Sequence, residues 1–164
     1  MLSKQQLFDL QVFIEKKHKP LDYALSAPSR YVLADISNRE LEDYVKSRRK
    51  LTFNQVLFHF IAEKGVQDTE IYKKAGLDRR HFSKIRSNPH YHPGKKTVLA
   101  LAFALELNKK ETGQLLAAAG YSLSESDTFD LVIQFCLEKK IYDLDTVNQA
   151  LDYFSLQPLA GVMK

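Results

Sequence analysis

The chain has 164 residues, 45% hydrophobic and 27% charged, enough for one sizeable core with a smaller satellite but hardly for two full domains. No apolar run approaches the roughly 18 residues of a membrane span, and the opening MLSKQQLFDL lacks a continuous apolar core and a small-residue cleavage site, so a soluble, cytoplasmic protein with no membrane partner is expected. Net charge is +4, unevenly spread: residues 1–50 carry +3, residues 51–120 carry +5 and residues 121–164 carry −4, a pattern that points the basic centre at a polyanion.

In chain order the signals are helical. Ser3 can cap a helix over residues 3–18, with Leu7, Leu10, Phe13 and Ile14 on one side and Pro20 stopping it. An ordered connector follows, keeping Tyr23, Leu25, Tyr31, Val32 and Leu33 to bury. Ser37 and Glu40 stand at capping-box spacing and open SNRELEDYVKSRRK, a short helix ending in Lys46, Arg48, Arg49 and Lys50. That basic run either complements the helix C-terminus or extends a phosphate-facing surface.

From Thr52 the periodicity sharpens. Thr52 and Gln55 repeat the capping-box spacing, and Phe53, Val56, Leu57, Phe60, Ile61 and Lys64 recur at helical intervals up to Gly65. His59, between Phe58 and Phe60, is expected to pack partly buried. Asp68 or Thr69 starts TEIYKKA, closed by Gly76, and Asp78 caps RRHFSKIRS. After NPHYHPGKK comes TVLALAFALEL, apolar nearly all round and therefore central, with Asn108 expected to break it. KKETGQLLAAAG forms a further helix to Gly120. DTFDLVIQFCLEKK and DTVNQALDYF complete the set, the latter with Val147, Ala150, Leu151 and Phe154 inward. Most of the apolar residues here, Phe129, Val132, Ile133, Phe135 and Leu137 among them, are expected in a satellite core. The single cysteine, Cys136, lies in an apolar run and reads as a buried thiol; one cysteine permits no disulfide within the chain.

Short helix, glycine turn, short helix and then two apolar helices is a helix-turn-helix order. Gly76 supplies the turn and Leu77 fills the angle between the helices. Residues 53–116, through EIYKKAG, RRHFSKIRS, TVLALAFALEL and ETGQLL, resemble the lambda-repressor/Cro-like (XRE-type) DNA-binding domain, over roughly 65 of the 164 residues. The stretch from TFNQVLF to FSLQPL is also similar to a small helical module of bacterial proteins, a resemblance that bears on fold more than on function. Two positions depart from the repressor pattern. Tyr72 stands where a small alanine is usual, so the helices spread or the ring points outward. Arg86 replaces a glutamate that pairs with an arginine in the family, so that ion pair is absent and Arg86 is structural in another way or free for phosphate.

With Phe82 and Ile85 inward, about 100° per residue places Arg80, Ser83, Lys84 and Ser87 on the opposite face, with Arg79, His81 and Arg86 at its flanks. Arginines at a helix start oppose the macrodipole by about 0.3–1 kcal/mol each, against about 1–3 kcal/mol of discrimination from a bidentate base contact. The expectation is an all-α fold: an N-terminal helical extension and connector over 1–50, a helix-turn-helix core over 51–120 and an acidic helical extension over 121–164 packed on the core. Its function would be sequence-specific binding of double-stranded DNA as a transcriptional regulator. Arg79, Arg80, Ser83 and Lys84 would face bases; Gln67, Thr69, Arg86, Ser87, Lys95 and Lys96 would face phosphates. The same cationic starts recur at Lys95/Lys96 and Lys109/Lys110, where backbone N–H and ammonium groups together suit phosphate.

Two alternatives use the same fold: a protein-interaction or assembly module, and a reader of structured RNA. A homodimer, or a protein partner held by the N- or C-terminal helices, fits the need of repressor-like modules for two copies. No catalytic, dinucleotide or phosphate-loop motif is present, so no enzyme activity and no cofactor is expected. Asp127 and Asp130 read as charges at a helix start, and His90 and His92 alone make a weak metal signal, so no metal is expected.

Overall fold

The computed structural model describes residues 4–8 and 37–159. The structure is all-α: among the described residues there is no strand, and no helix is long and apolar enough to cross a membrane. The chain divides into two compact units, Met1–Arg49 and Lys50–Lys164.

In the first unit, residues 4–8 are helical and Phe8 is buried. The rest of the helix expected over 3–18, and the connector through residue 36, lie outside the described residues. Helix α1 (Asn38–Arg48) starts where Ser37 Oγ accepts from the Glu40 amide at 3.0 Å. It buries none of its residues, and Arg48 stacks over the Tyr44 ring at 4.7 Å.

The second unit carries the apolar core. Helix α2 (Phe53–Lys64) opens with the full Thr52/Gln55 capping box and closes at Gly65, whose φ of 66° is the left-handed conformation that favours glycine. Phe53, Leu57, Phe60 and Ile61 point inward, as the helical spacing requires. His59 does not: it is exposed and faces Glu63 one turn on, because its position falls opposite the buried stripe. Helix α3 (Asp68–Lys74) buries Ile71, and the chain then turns through Gly76, at φ 72°, into α4 (Arg79–Ser87).

Helix α5 (Lys95–Ala104) is the centre of the unit; every residue from Val98 to Ala104 is buried. It touches α3 on one side, α6 (Lys109–Ala118) on another and α8 (Leu144–Tyr153) on a third, which is why it is apolar nearly all round. Asn108 does not break it. The helix ends earlier, at Ala104, and just beyond it Glu106, at φ 54°, lets the Leu107 amide bond back to the Ala102 carbonyl at 3.0 Å. Asn108 instead opens α6 in a reciprocal capping box with Glu111. Helix α6 also packs on α2, and α7 (Thr128–Glu138) lies against α6 and α8. The C-terminal pair α7 and α8 thus shares one core with α2 to α6, through Val132, Ile133, Cys136, Leu137, Val147 and Leu151.

Candidate nucleic-acid interface

Helix α4 is short and strongly two-sided. Phe82 and Ile85 are buried, while Arg79, Arg80, Ser83, Lys84, Arg86 and Ser87 are exposed. Asp78 caps it, accepting from the His81 amide at 2.7 Å, and this carboxylate offsets part of the opposition between two arginines and the positive helix start. Arg79, Arg80 and Ser83 border a shallow concavity with Asp78. Among the described residues neither Arg79 nor Arg80 has an acidic ion-pair partner.

Three contacts fix α4 in place. On its inner side the Phe82 ring meets Phe58 edge-on at 5.8 Å and Tyr72 at 5.6 Å. Tyr72 therefore packs half-buried against Phe82 of α4 and does not point outward. At its end, the Asn54 side-chain amide on α2 donates to the carbonyls of Ile85 at 2.7 Å and Arg86 at 3.2 Å, groups that have no partner within the helix. Across the top, Arg86 bonds to Asp68 of α3 at 2.6 and 2.9 Å and lies over the Phe58 ring at 4.0 Å. Arg86 thus has an ion pair of its own, with a carboxylate on the neighbouring helix α3. Its guanidinium is a clamp on α4.

The loop after α4 is ordered by its own side chains. Asn88 Oδ1 accepts from the His90 amide at 2.9 Å, and the Tyr91 hydroxyl meets His81 Nε2 at 3.1 Å. Lys84 Nζ lies 5.7 Å from the centre of the Tyr91 ring, which leaves its ammonium at the surface beside the arginines. His90 and His92 are both exposed, and among the described residues no three His, Cys, Asp or Glu side chains are grouped to hold a metal ion.

The other cationic helix starts have different duties. Lys95 Nζ bonds both oxygens of Asp130, at 2.8 and 2.9 Å, so this expected phosphate contact already has an internal acidic partner. Asp130 is buried and also accepts from the Ser124 amide at 2.8 Å; it is a tether between α7 and α5, not merely a charge at a helix start. Lys109 bonds Glu138 at 3.0 Å, a second bridge from the basic centre to the acidic extension. Lys96 is half-buried, 3.3 Å from Gln157 Oε1 and over the Phe129 ring. The charge asymmetry along the chain is therefore partly satisfied inside the molecule.

Gln67 and Thr69, at the start of α3, are exposed, and the Gln67 side chain makes no capping bond. Sequence reasoning missed Asn54, an ordinary polar residue on the shoulder of α2, and it missed Asp130. One signal for the latter was available, a lone carboxylate set directly before the apolar run LVI. Comparison of the chain with protein-family models, with curated proteins and with solved structures finds no match.

Proposed function

We propose that this chain binds duplex DNA and reads sequence with α4 in the major groove, as the recognition helix of a repressor-like helix-turn-helix domain and transcriptional regulator. The observation that carries the reading is the outward face of α4: Arg79, Arg80, Ser83 and Lys84 stand exposed together on a helix held from beneath by Phe82 and Ile85. Arginine matches guanine O6 and N7 with two parallel hydrogen bonds, Lys84 serves base or phosphate, and the Ser83 hydroxyl donates or accepts. Each good bidentate pair contributes about 1–3 kcal/mol of discrimination, more than the helix-dipole cost of holding a cation there. Gln67 and Thr69 at the start of α3 and Ser87 at the end of α4 are exposed and serve as phosphate contacts. Lys95, Lys96 and Arg86 are left out of the contact set, since each is held by an internal partner.

Fluorescence anisotropy with mixed-sequence duplex DNA, single-stranded DNA and duplex RNA, each across a salt titration, tests the reading. Preferential duplex DNA binding that weakens steeply with salt is expected, since each neutralised phosphate adds about −0.9 to the slope of log K against log salt. Equal binding to all three would remove the sequence-reading of duplex DNA in favour of non-specific polyanion binding, and no binding at low salt would favour an assembly module.

A further inference from the structure

Helix α7 presents an exposed row that the DNA reading does not use. Asp127, Leu131, Phe135 and Lys139 follow one another at intervals of four residues, and all four are exposed on a helix whose other side is buried. Leu131 is 45% and Phe135 52% exposed, although Val132, Ile133, Cys136 and Leu137 between and beside them are in the core. Phe135 was among the residues expected in the satellite core, but it and Leu131 stand outside it. They instead form an apolar step flanked by an acid at the helix start and a base at its end.

Such a row is its own complement. Rows of residues four apart form the ridges that interdigitate when helices pack. If a second α7 runs antiparallel about a two-fold axis near residue 133, Leu131 of one copy meets Phe135 of the other, and Lys139 meets Asp127. Both apolar residues and both charges are matched twice by one operation, the hallmark of an isologous contact. The charged groups are available for it. Lys139 Nζ lies over the Phe135 ring at 5.8 Å and has no acidic partner among the described residues. Asp127 uses Oδ2 to cap the Asp130 amide at 3.1 Å, and Oδ1 is left for a cation. Glu138, the acid nearest this end, is already engaged by Lys109, and Lys140 next to Lys139 adds a second exposed base.

We infer that the α7 row is a homodimer contact in which a second copy of this chain packs antiparallel on Leu131 and Phe135, with Asp127 and Lys139 setting the register. The apolar step is small, well below the roughly 800 Å² per partner of a stable interface, so the dimer is weak and concentration-dependent. It does not rest on DNA binding.

Sedimentation equilibrium of the full chain, from low micromolar to several hundred micromolar, should show a reversible monomer–dimer equilibrium that Phe135→Asp weakens by roughly tenfold or more, because it sets a carboxylate in the apolar contact. Lys139→Glu should weaken it several-fold, and more so at low salt. Both positions are exposed, and circular dichroism with thermal melts confirms that the variants fold. The register is read separately: chains carrying Leu131→Cys mixed with chains carrying Phe135→Cys should form oxidised cross-links faster than either alone. A monomer throughout the range, a dimer indifferent to Phe135→Asp, or cross-linking no faster in the mixture would each overturn the inference. A monomer whose Cys-substituted α7 is shielded from labelling would identify another segment of this chain as the occupant.

Discussion

Asp130→Ala is the most informative single change to the fold. The carboxylate is 3% exposed and receives two bonds from Lys95 and one from the Ser124 amide, so its loss leaves an ammonium and a backbone N–H without their acceptor. Breaking a buried pair by removing one partner costs about 3–5 kcal/mol when the remaining charge stays buried. Lys95 is 29% exposed and can turn to water, which screens its charge and brings the expected loss to about 2–3 kcal/mol. For a unit of this size that corresponds to a fall in Tm of roughly 8–15 °C. Thermal and urea unfolding followed by circular dichroism measure it. Replacing both partners, Lys95→Met with Asp130→Leu, should recover much of the loss, because neither leaves a charge behind. A Tm within about 2 °C of the parent for Asp130→Ala, or a double variant worse than the single, would refute the reasoning.

Other expectations follow from equally local facts. The Thr112 hydroxyl is fully buried and has no hydrogen-bond partner among the described residues, so Thr112→Val should stabilise the chain by about 1 kcal/mol in urea unfolding. A loss of stability would mean that the hydroxyl is satisfied. Burial pushes the Cys136 thiol above its ordinary 9.0, which means that the folded state holds its proton where the unfolded chain has begun to release it. Stability from this group is present below about pH 9 and declines as pH rises beyond it; a Cys136→Ala variant should lose that part of the alkaline decline, and thiol reagents should react with the parent only on unfolding. Asn54→Ala frees two carbonyls at the end of α4 and should cost about 1–2 kcal/mol. It should also weaken DNA binding without changing the salt slope, since it touches no phosphate.

What could be read from the sequence was local chemistry. The Thr52 and Asp78 caps, the stops at Gly65 and Gly76, and the two-sidedness of α4 all depend on residues three or four apart, where spacing alone sets the geometry. The end of α5 was misread because Glu106, not a glycine, takes the left-handed conformation, and nothing in its side chain announces that. Partnerships between distant segments were hidden for a different reason. Lys95 meets Asp130, Lys109 meets Glu138, Arg86 meets Asp68 and Asn54 meets the end of α4 only after the core has brought their helices together. A basic residue at a helix start looks the same in sequence whether it awaits a phosphate or a carboxylate 35 residues away. The opposed charges of residues 51–120 and 121–164 held the clue, since an acidic segment packed on a basic one neutralises part of it.

The same distinction supplies the decisive comparison: anisotropy titrations of duplex DNA with the parent chain, with Arg80→Ala/Lys84→Ala and with Lys95→Gln, each across a range of salt. The α4 double variant should lose affinity by roughly tenfold or more with its helical content intact, while Lys95→Gln should be less stable yet bind folded with the parent's salt slope. Unchanged affinity in the folded double variant would contradict the assignment of α4 as the recognition helix, and a shallower slope in Lys95→Gln would return that lysine to the phosphates.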